Sequence, residues 1–273
     1  MNQPHGNGAA PPAGASRGDA AGLAAVGLSV RAGARELVRG LSMRFVPGEV
    51  LAILGRNGSG KTLTLHTLAG LRPSAAGGVS LDGAALTTLK RRAIALRLGL
   101  LPQDLEDAFV TTAMETVLIG RHPHLALWQW ETAADEAIAR AALAAVDMSD
   151  FASRRTDTLS GGEQRRVAVA ALIAQQPGIF LLDEPTNHLD PHHQIAVLRL
   201  FRTLADTGRT VVTTLHDPTL AARFADRVLL LHGDGRWTAG PTSTTLTAAS
   251  LSELYVAPMM EFAKDGRRVF VSA

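Results

Sequence analysis

Gly55-Arg56-Asn57-Gly58-Ser59-Gly60-Lys61-Thr62 is the most informative stretch of this chain. It follows the apolar run Val50-Leu51-Ala52-Ile53-Leu54 and leads into a helical pattern that extends from Leu63 to Leu71. A strand, a glycine-rich loop and a helix in this order fit the phosphate-binding pattern G-x-x-x-x-G-K-[ST] more fully than a chance turn would. The glycines let successive N–H groups face one anion, and the helix adds the positive end of its dipole. The stretch therefore predicts a nucleoside triphosphate site.

Individual side chains of this phosphate loop have separate predicted roles. Lys61 is expected to reach the β- and γ-phosphates, and Thr62 is expected to offer its hydroxyl oxygen to Mg²⁺. The predicted nucleotide-binding residues are Gly55, Asn57, Gly58, Ser59, Gly60, Lys61 and Thr62.

The composition limits the class of protein to which the chain can belong. With 273 residues, 46% of them hydrophobic and 19% charged, it suits one large α/β domain or a main domain with a subdomain. The net charge of +2 gives no argument for a nucleic-acid partner. The absence of cysteine excludes disulfides and thiolate metal sites. No apolar run approaches the ~20 residues that span a bilayer, so we expect a protein that is soluble by itself.

Other regions differ in pattern from the phosphate loop. Residues 1–22 are rich in Gly, Ala, Pro and Asn, which predicts a disordered tail rather than a secretory signal. Residues 111–176 have a predominantly helical pattern, so we expect a helical subdomain inserted between strands. Val26, Leu28 and Val30 alternate with other residues, which predicts a half-buried antiparallel strand.

A second anion site is predicted at Leu159-Ser160-Gly161-Gly162-Glu163, here called the signature stretch. Ser160 followed by two glycines is typical of a helix N-terminus with accessible N–H groups. Glu163 lies three residues after Ser160, so the stretch also fits a capping box. The two interpretations are compatible, because a capped N-terminus can receive a phosphate when the serine side chain turns outward.

Two carboxylates follow a continuously apolar run, Ile179-Phe180-Leu181-Leu182. Such a run fits a strand buried on both faces of a parallel sheet, and ligands bind at the carboxyl ends of strands in these sheets. Asp183 is therefore expected to support Mg²⁺, and Glu184 is expected to orient and deprotonate an attacking water. A carboxylate pair that merely ends a strand is the weaker alternative, because a phosphate loop lies upstream.

Two further residues at predicted strand ends could take part. Gln103 follows the short strand Leu98-Gly99-Leu100-Leu101 and could reach a metal-bound water or a phosphate. His216 follows the strand from Thr210 to Leu215 and could bond a γ-phosphate and its attacking water. Each signal is weak alone, since a loop glutamine is usually solvated and a strand-end histidine is usually structural.

Taken together, these motifs resemble those of the ATP-binding cassette (ABC) family. The likeness covers roughly residues 25–256, and the signature stretch is specific to this family among phosphate-loop proteins. The motifs that match, in the family's order, are the phosphate loop, Gln103, the signature stretch, Asp183-Glu184, Asp190 and His216. The resemblance implies an ATP-hydrolysing enzyme with ATP and Mg²⁺ as cofactors.

The resemblance also implies the architecture. The family fold is α/β, a phosphate-loop NTPase core with a mixed sheet, an antiparallel β subdomain and an inserted α-helical subdomain. The nucleotide-binding domain would comprise residues 23–256, with the helical subdomain at about 104–176. Residues 1–22 would be the tail and residues 257–273 a C-terminal extension.

In this family two cassettes meet head to tail, and each ATP lies between the phosphate loop of one subunit and the signature stretch of the other. The resemblance implies binding in trans by Ser160, Gly161, Gly162 and Glu163. It implies Mg²⁺ ligation by Thr62, Gln103 and Asp183. It implies catalysis by Glu184, His216 and Gln103, and communication across the dimer by Asp190.

The implied partners are a second cassette, integral membrane permease subunits and, indirectly, a substrate-binding protein, with no nucleic acid. Gln103 would link the metal site to a groove that receives a helix of the membrane subunit. Hydrolysis separates the cassettes, and this motion drives transport. We therefore expect a peripheral protein on the cytoplasmic face of the inner (plasma) membrane.

Within the family, the sequence resembles the cassettes of importers for iron–siderophore, haem and cobalamin. The stretches that carry this likeness are Gly120-Arg121-His122-Pro123-His124, Leu215-His216-Asp217-Pro218 and Leu254-Tyr255. The cargo of an importer moves through other subunits, so no residue of this chain is expected to touch it.

Two other functions are weighed against transport. A soluble cassette that acts on ribosomes or DNA would usually carry two cassettes in one chain or long heptad insertions, and this sequence has one phosphate loop and no sustained heptads. A small-molecule kinase would leave the signature stretch unexplained. Copurification with membrane proteins, rather than with ribosomes or nucleic acid, would favour import.

The sequence departs from the family where the adenine base should stack. The expected aromatic residue before the phosphate loop is replaced by Ala32, and only Arg31 or Arg35 could supply a partial substitute. Stacking of a base on an aromatic ring contributes about 1–3 kcal/mol in nucleic-acid-binding proteins. We therefore predict comparable hydrolysis rates with ATP and GTP, measured as phosphate release at matched concentrations. A strong preference for ATP would contradict this prediction.

Overall fold

The computed structural model of the chain describes residues 22–104, 111–126 and 128–273. The tail predicted for residues 1–22 lies outside this range apart from Gly22, and so do residues 105–110 of the predicted helical subdomain. None of the helices within the described ranges is long and apolar enough to cross a bilayer.

The described residues form twelve strands and nine α-helices. The strands are β1 (Leu23–Ala32), β2 (Arg35–Phe45), β3 (Val50–Leu54), β4 (Ala76–Leu81), β5 (Ala84–Ala85), β6 (Leu98–Leu101), β7 (Ile179–Leu182), β8 (Thr210–Thr214), β9 (Arg227–Leu231), β10 (Trp237–Pro241), β11 (Met259–Lys264) and β12 (Arg267–Ser272). The helices are α1 (Lys61–Leu68), α2 (Arg91–Ala95), α3 (Ala113–Ile119), α4 (Ala133–Ala144), α5 (Gly161–Ala174), α6 (Pro191–Asp206), α7 (Pro218–Phe224), α8 (Thr242–Thr245) and α9 (Ala248–Tyr255).

The central sheet explains why the predicted motifs come together. Its strand order is β10-β9-β3-β8-β7-β6, and β6, β7, β8, β3 and β9 run parallel. All five residues of β3 and all four of β7 are buried, as expected for strands covered on both faces. Because parallel strands end at the same edge, the segments after β3, β6, β7 and β8 meet there.

The second sheet is antiparallel, with strand order β2-β1-β4-β5. The predicted half-buried antiparallel strand is present as β1, but the alternation fails at Val26, which is 62% exposed, whereas Leu28 and Val30 are buried. Gly27 has a φ of +58°, and the register with β2 shifts between Ala25 and Leu28. This bulge changes which face the side chains point to, so Val26 points to solvent.

The helical subdomain contains α3, α4 and α5, separated by short 3₁₀ turns. Buried Arg121 joins these helices, because its Nε donates to Asp135 Oδ1 at 2.9 Å and its Nη1 donates to Ala174 O at 2.8 Å. Hydrogen bonds from Thr132 and the Arg121 guanidinium lower the pKa of the Asp135 carboxyl to about 2. The stretch from Gly120 to His124 therefore contributes packing within this subdomain.

The C-terminal strands β11 and β12 form an antiparallel hairpin that packs against α7. Phe270 is 5% exposed and belongs to a core that also contains Phe224, Leu251 and Leu254. The predicted extension, residues 257–273, is therefore packed on the core through this hairpin. The predicted α/β fold class, with a mixed sheet, an antiparallel sheet and inserted helices, is confirmed.

Candidate active site

The phosphate loop leads from β3 into α1. Gly60 precedes the helix with a φ of +101°, and a Cβ at this position would approach the Cβ of Leu37 to 3.0 Å. Lys61 is buried, and its Nζ donates to Gly55 O at 3.0 Å and Arg56 O at 3.4 Å. Burial lowers the pKa of Lys61, while the Glu184 and Asp183 carboxylates act in the opposite direction. The loop backbone thus holds the ammonium group beside the helix N-terminus.

A cavity of about 540 Å³, here called the nucleotide pocket, lies beside this loop. Its lining contains Ala32, Leu37, Asn57, Gly58, Gly60, Lys61, Thr62, Leu63, Gln103, Glu184 and His216. The structure therefore brings most of the predicted ATP-binding residues together with the three predicted catalytic ones. Gly55 and Ser59 are buried residues of the loop and do not line the pocket.

Thr214, at the end of β8, links the two carboxylate residues that follow β7. Its hydroxyl donates to Asp183 Oδ1 at 2.7 Å and accepts from the backbone N–H of Glu184 at 2.8 Å. Asp183 and Thr214 are both fully buried, so these bonds determine where the Asp183 carboxylate points. Thr214 was not among the residues predicted from the sequence, although its position two residues before His216 on a predicted strand was a usable signal.

The Glu184 side chain is held on both oxygens. His216 Nε2 lies 2.5 Å from Oε1, and Asn187 Nδ2 donates to Oε2. The Glu184 backbone has a φ of +48°, a region that non-glycine residues seldom occupy and that is concentrated at functional sites. A carboxylate fixed in this way beside the phosphate loop can act as a general base toward a water molecule. Asn187 was also missed by the sequence analysis.

Three predicted Mg²⁺ ligands offer only oxygen donors, which this cation prefers. Thr62 Oγ1 lies 3.4 Å from Gln103 Oε1, across the side of the nucleotide pocket. Asp183 Oδ2 is buried and has no hydrogen-bond partner among the described residues, so it can accept from a metal-bound water. These residues fit Mg²⁺, which when bound would neutralise charge on the β- and γ-phosphates.

Arg165 connects the signature helix α5 to the catalytic edge. Its side chain is 2% exposed. Its Nη1 donates to Pro102 O at 2.5 Å and Gln103 O at 3.2 Å, and its Nη2 donates to Asp183 O at 2.5 Å and Glu184 O at 2.8 Å. Burial lowers the pKa of Arg165 to about 10, so the guanidinium stays charged at neutral pH. Nothing in the sequence pattern distinguishes Arg165 from its neighbour Arg166.

The signature stretch forms the predicted capping box. Ser160 Oγ accepts from the Glu163 N–H at 3.3 Å, and Glu163 Oε2 accepts from the Ser160 N–H at 2.7 Å. These bonds to Ser160 lower the pKa of Glu163. The helix that follows has 14 residues, long enough for its dipole to favour an anion at this end.

A second cavity of about 510 Å³, here called the signature pocket, lies at this helix end. Its lining contains Ser160, Gly161, Gly162, Glu163, Arg166, His188, Leu189, Asp190 and His193. Asp190 caps α6, because its Oδ1 accepts from the His193 N–H at 3.0 Å. Among the described residues, none lines both pockets. The phosphate loop and the signature stretch thus belong to separate sites on one chain.

The residues expected near the adenine base are arranged as follows. Ala32 is exposed and lines the nucleotide pocket. The Arg35 guanidinium donates to Gly233 O from Nε at 3.1 Å and from Nη2 at 2.7 Å, which ties it to the turn before β10. Arg31 is exposed. The lining beside Ala32 thus offers Leu37 and no aromatic ring among the described residues.

Comparisons with known proteins agree with this geometry. Residues 38–187 match the sequence profile of the ABC transporter family. The chain is 41% identical over 241 residues to the hemin import ATP-binding protein HmuV of Streptomyces coelicolor, covering 88% of this chain and 85% of that protein.

Two solved structures are also similar. A metal-chelate type ABC transporter in an inward-facing conformation gives a TM-score of 0.80 at 28% identity, covering 92% of this chain and 97% of that chain. A dimeric ATP-binding cassette in a post-hydrolysis state, bound to ADP and phosphate, gives 0.70 at 25% identity, covering 81% and 98%.

Replacing Thr214 with valine tests the arrangement of the carboxylates. Thr214→Val keeps the side-chain shape and removes the hydroxyl shared by Asp183 and Glu184. We expect a loss of about 1–3 kcal/mol in the free energy of unfolding, because buried groups lose their partner. We also expect a roughly tenfold lower kcat for nucleotide hydrolysis, equivalent to about 1.4 kcal/mol. Thermal melting and steady-state phosphate release measure the two effects.

The matched control is Thr213→Val on the same strand. Thr213 is similarly buried, but among the described residues its hydroxyl bonds only to a backbone oxygen, Thr214 O at 3.4 Å. Equal kcat values for the two variants would show that the hydroxyl of Thr214 does not position the carboxylates.

Proposed function

The chain belongs to the ABC transporter family of ATPases, and from this premise we propose that it powers an importer for haem as one of two head-to-tail cassettes. The single observation that carries the proposal is the separation of the nucleotide pocket from the signature pocket. One chain supplies the phosphate-loop part of an ATP site in the nucleotide pocket and the signature-stretch part in the signature pocket. A second copy turned head to tail would complete both sites.

Within each completed site, this chain provides the hydrolytic groups. Lys61 and the phosphate-loop N–H groups bind the β- and γ-phosphates, and Thr62, Gln103 and Asp183 hold Mg²⁺. Glu184 takes a proton from water as the water oxygen attacks the γ-phosphorus in line with the bond to ADP. That bond breaks, and ADP and inorganic phosphate leave. The short contact between His216 and Glu184 supports a role for His216 in aligning this base.

The partner cassette would contribute its signature stretch to the γ-phosphate. The N-terminus of α5 presents N–H groups and a dipole that favour an anion, and Asp190 lies in the same pocket. The dimeric cassette with ADP and phosphate is a precedent for pairing in a similar fold. Asp190 would then communicate between the two ATP sites.

An apolar groove next to the Gln103 segment supports docking to a membrane subunit. This groove has a volume of about 540 Å³ and lies between the end of β6 and the helical subdomain. The apolar residues that line it include Leu100, Pro102, Ile119, Pro123, Ala168 and Leu172. A short helix of an integral membrane permease would fill this groove. Movement of that helix would shift Gln103, and with it the metal site. In the proposed arrangement the chain would lie on the cytoplasmic face of the membrane, and a substrate-binding protein would act only through the permease.

The choice of haem as cargo is supported by the relatives rather than by the site. The similar protein from Streptomyces coelicolor is named a hemin importer subunit, and the similar transporter structure is of metal-chelate type. Cobalamin and iron–siderophore are the alternative metal chelates. A soluble cassette acting on ribosomes or nucleic acid is the second function, and the apolar groove favours the membrane over it.

Replacing the proposed base separates binding from turnover. Glu184→Gln should bind ATP, form a stable dimer and lose nearly all hydrolysis, because the amide cannot accept the proton from water. Lys61→Ala is the contrasting variant, and it should weaken ATP binding and prevent dimer formation. Size-exclusion chromatography with ATP and phosphate release measure these effects. Near-normal turnover by Glu184→Gln would show that Glu184 is not the base.

The cargo is tested with the cassette assembled with its membrane subunits in proteoliposomes. We expect ATP-dependent uptake of haem with the wild-type chain and no uptake with Glu184→Gln. Uptake of cobalamin or of an iron–siderophore instead would show that haem is not the cargo, but it would not contradict the proposed ATPase activity. Recovery of the chain with ribosomes and without membrane subunits would contradict the proposal that it serves an importer.

A further inference from the structure

We propose that Tyr255 is a positioning residue for His216, and that the C-terminal hairpin formed by β11 and β12 holds both in place. This inference rests on the proposed function, because it assumes that His216 aligns Glu184. It concerns contacts of α9 and of the hairpin that play no part in the proposed function.

The first contact is made by the Tyr255 hydroxyl. It donates to the main-chain oxygen of His216 at 3.3 Å. Burial, with a smaller effect of the Asp217 carboxylate, raises the pKa of Tyr255 to about 12. The hydroxyl therefore remains protonated, and remains a donor, at the pH at which an ATPase works.

His216 is consequently held from two sides. Its carbonyl accepts from Tyr255, and its imidazole Nε2 lies 2.5 Å from Glu184 Oε1. The imidazole is half-exposed, so few other contacts limit its position. A shift of the His216 backbone moves the imidazole with it, and small displacements of catalytic groups reduce rates strongly.

The hairpin is bonded to the turn that carries His216. Asp217 accepts from the Thr219 N–H at 2.7 Å at the start of α7, and Thr219 Oγ1 accepts from the Phe270 N–H at 3.1 Å. The Phe270 ring is buried in the same core as Leu254, the neighbour of Tyr255. Strand β12 thus fixes the first turn of α7 directly after His216.

The hairpin is also bonded to the helix that carries Tyr255. Ser252 Oγ accepts from the Met259 N–H at 2.9 Å, which joins α9 to the start of β11. Arg268, on β12, donates to the main-chain oxygens of Thr242 and Leu246 ahead of this helix. Helix α9, the hairpin and the turn at His216 therefore form one packed unit, and the Tyr255 hydroxyl is its contact with the His216 backbone.

The test removes only the hydroxyl. In the assembled, full-length cassette, Tyr255→Phe should lower kcat for ATP hydrolysis about 3- to 10-fold, the range expected for one lost hydrogen bond. KM for ATP and the melting temperature should stay close to the wild-type values. The control is Glu253→Gln on the same helix, which removes an exposed ion pair with Arg236 at 2.7 Å and should leave kcat unchanged.

A double variant distinguishes positioning from a general loss of structure. His216→Ala should lower kcat by itself, and adding Tyr255→Phe should then have no further effect. If His216→Ala lowers kcat but Tyr255→Phe does not, the positioning proposal is wrong and the proposed function stands. An equal loss from Tyr255→Phe with and without His216 also overturns it. If His216→Ala leaves kcat unchanged, His216 does not align Glu184. In that case the positioning role of Tyr255 is wrong as well.

A second variant covers the case in which Tyr255→Phe is poorly folded. Thr219→Val removes the bond to the Phe270 N–H and leaves Tyr255 intact. We expect the same loss of kcat with unchanged KM for ATP. A well-folded Thr219→Val variant with wild-type kcat would overturn the part assigned to the hairpin.

Discussion

A single buried guanidinium holds the catalytic edge of this molecule together. Arg165 donates to main-chain oxygens of two loops, the one after β6 and the one after β7. A buried charge costs free energy unless it is paired or hydrogen-bonded, and a buried carbonyl oxygen needs a hydrogen-bond donor. The Arg165 guanidinium and the loop carbonyl oxygens meet both requirements by bonding to each other. Gln103 and Glu184 are therefore located by a residue of α5, the helix that begins at the signature stretch. In the proposed dimer this helix would face the other nucleotide, and Arg165 would then connect the two ATP sites.

The parts of the fold and site that could be predicted from sequence are those in which the chemistry is local. The phosphate loop and Asp183-Glu184 follow strands of the central sheet, and the signature stretch caps the N-terminus of α5, as the sequence predicts. Thr214, Asn187 and Arg165 could not be predicted, because their contacts join segments that pair only in the folded sheet. Val26 was misplaced because a bulge at Gly27 shifts the register, and the sequence pattern does not show such shifts. The roles assigned to the site residues, among them Gln103, His216 and Asp190, remain predictions.

The stretch from Gly120 to His124 shows how a family likeness can have a structural origin. Its similarity to importer cassettes suggests a link to cargo, but Arg121 is used to join α3 to Asp135 and to the end of α5. His124 Nε2 lies 2.8 Å from Gln175 O, at the end of α5. These residues determine how the helices of the subdomain pack. The same helices line the groove that would receive a membrane subunit. The contacts of this stretch are therefore structural, and none of them involves a transported molecule.

The position of β3 in the central sheet has a consequence for how the protein reaches its native state. Val50 pairs with Val211 on β8, and Leu51 pairs with Arg227 on β9, so both neighbours of β3 are synthesised long after it. Parallel pairings between distant segments form slowly, because a long loop must close before any contact is gained. The phosphate loop is therefore synthesised early, but the sheet that supports it forms late. Strand β3, which is apolar, stays unpaired until β8 and β9 have been synthesised. Nascent chains of this protein should depend on chaperones for as long as β8 and β9 remain in the ribosome.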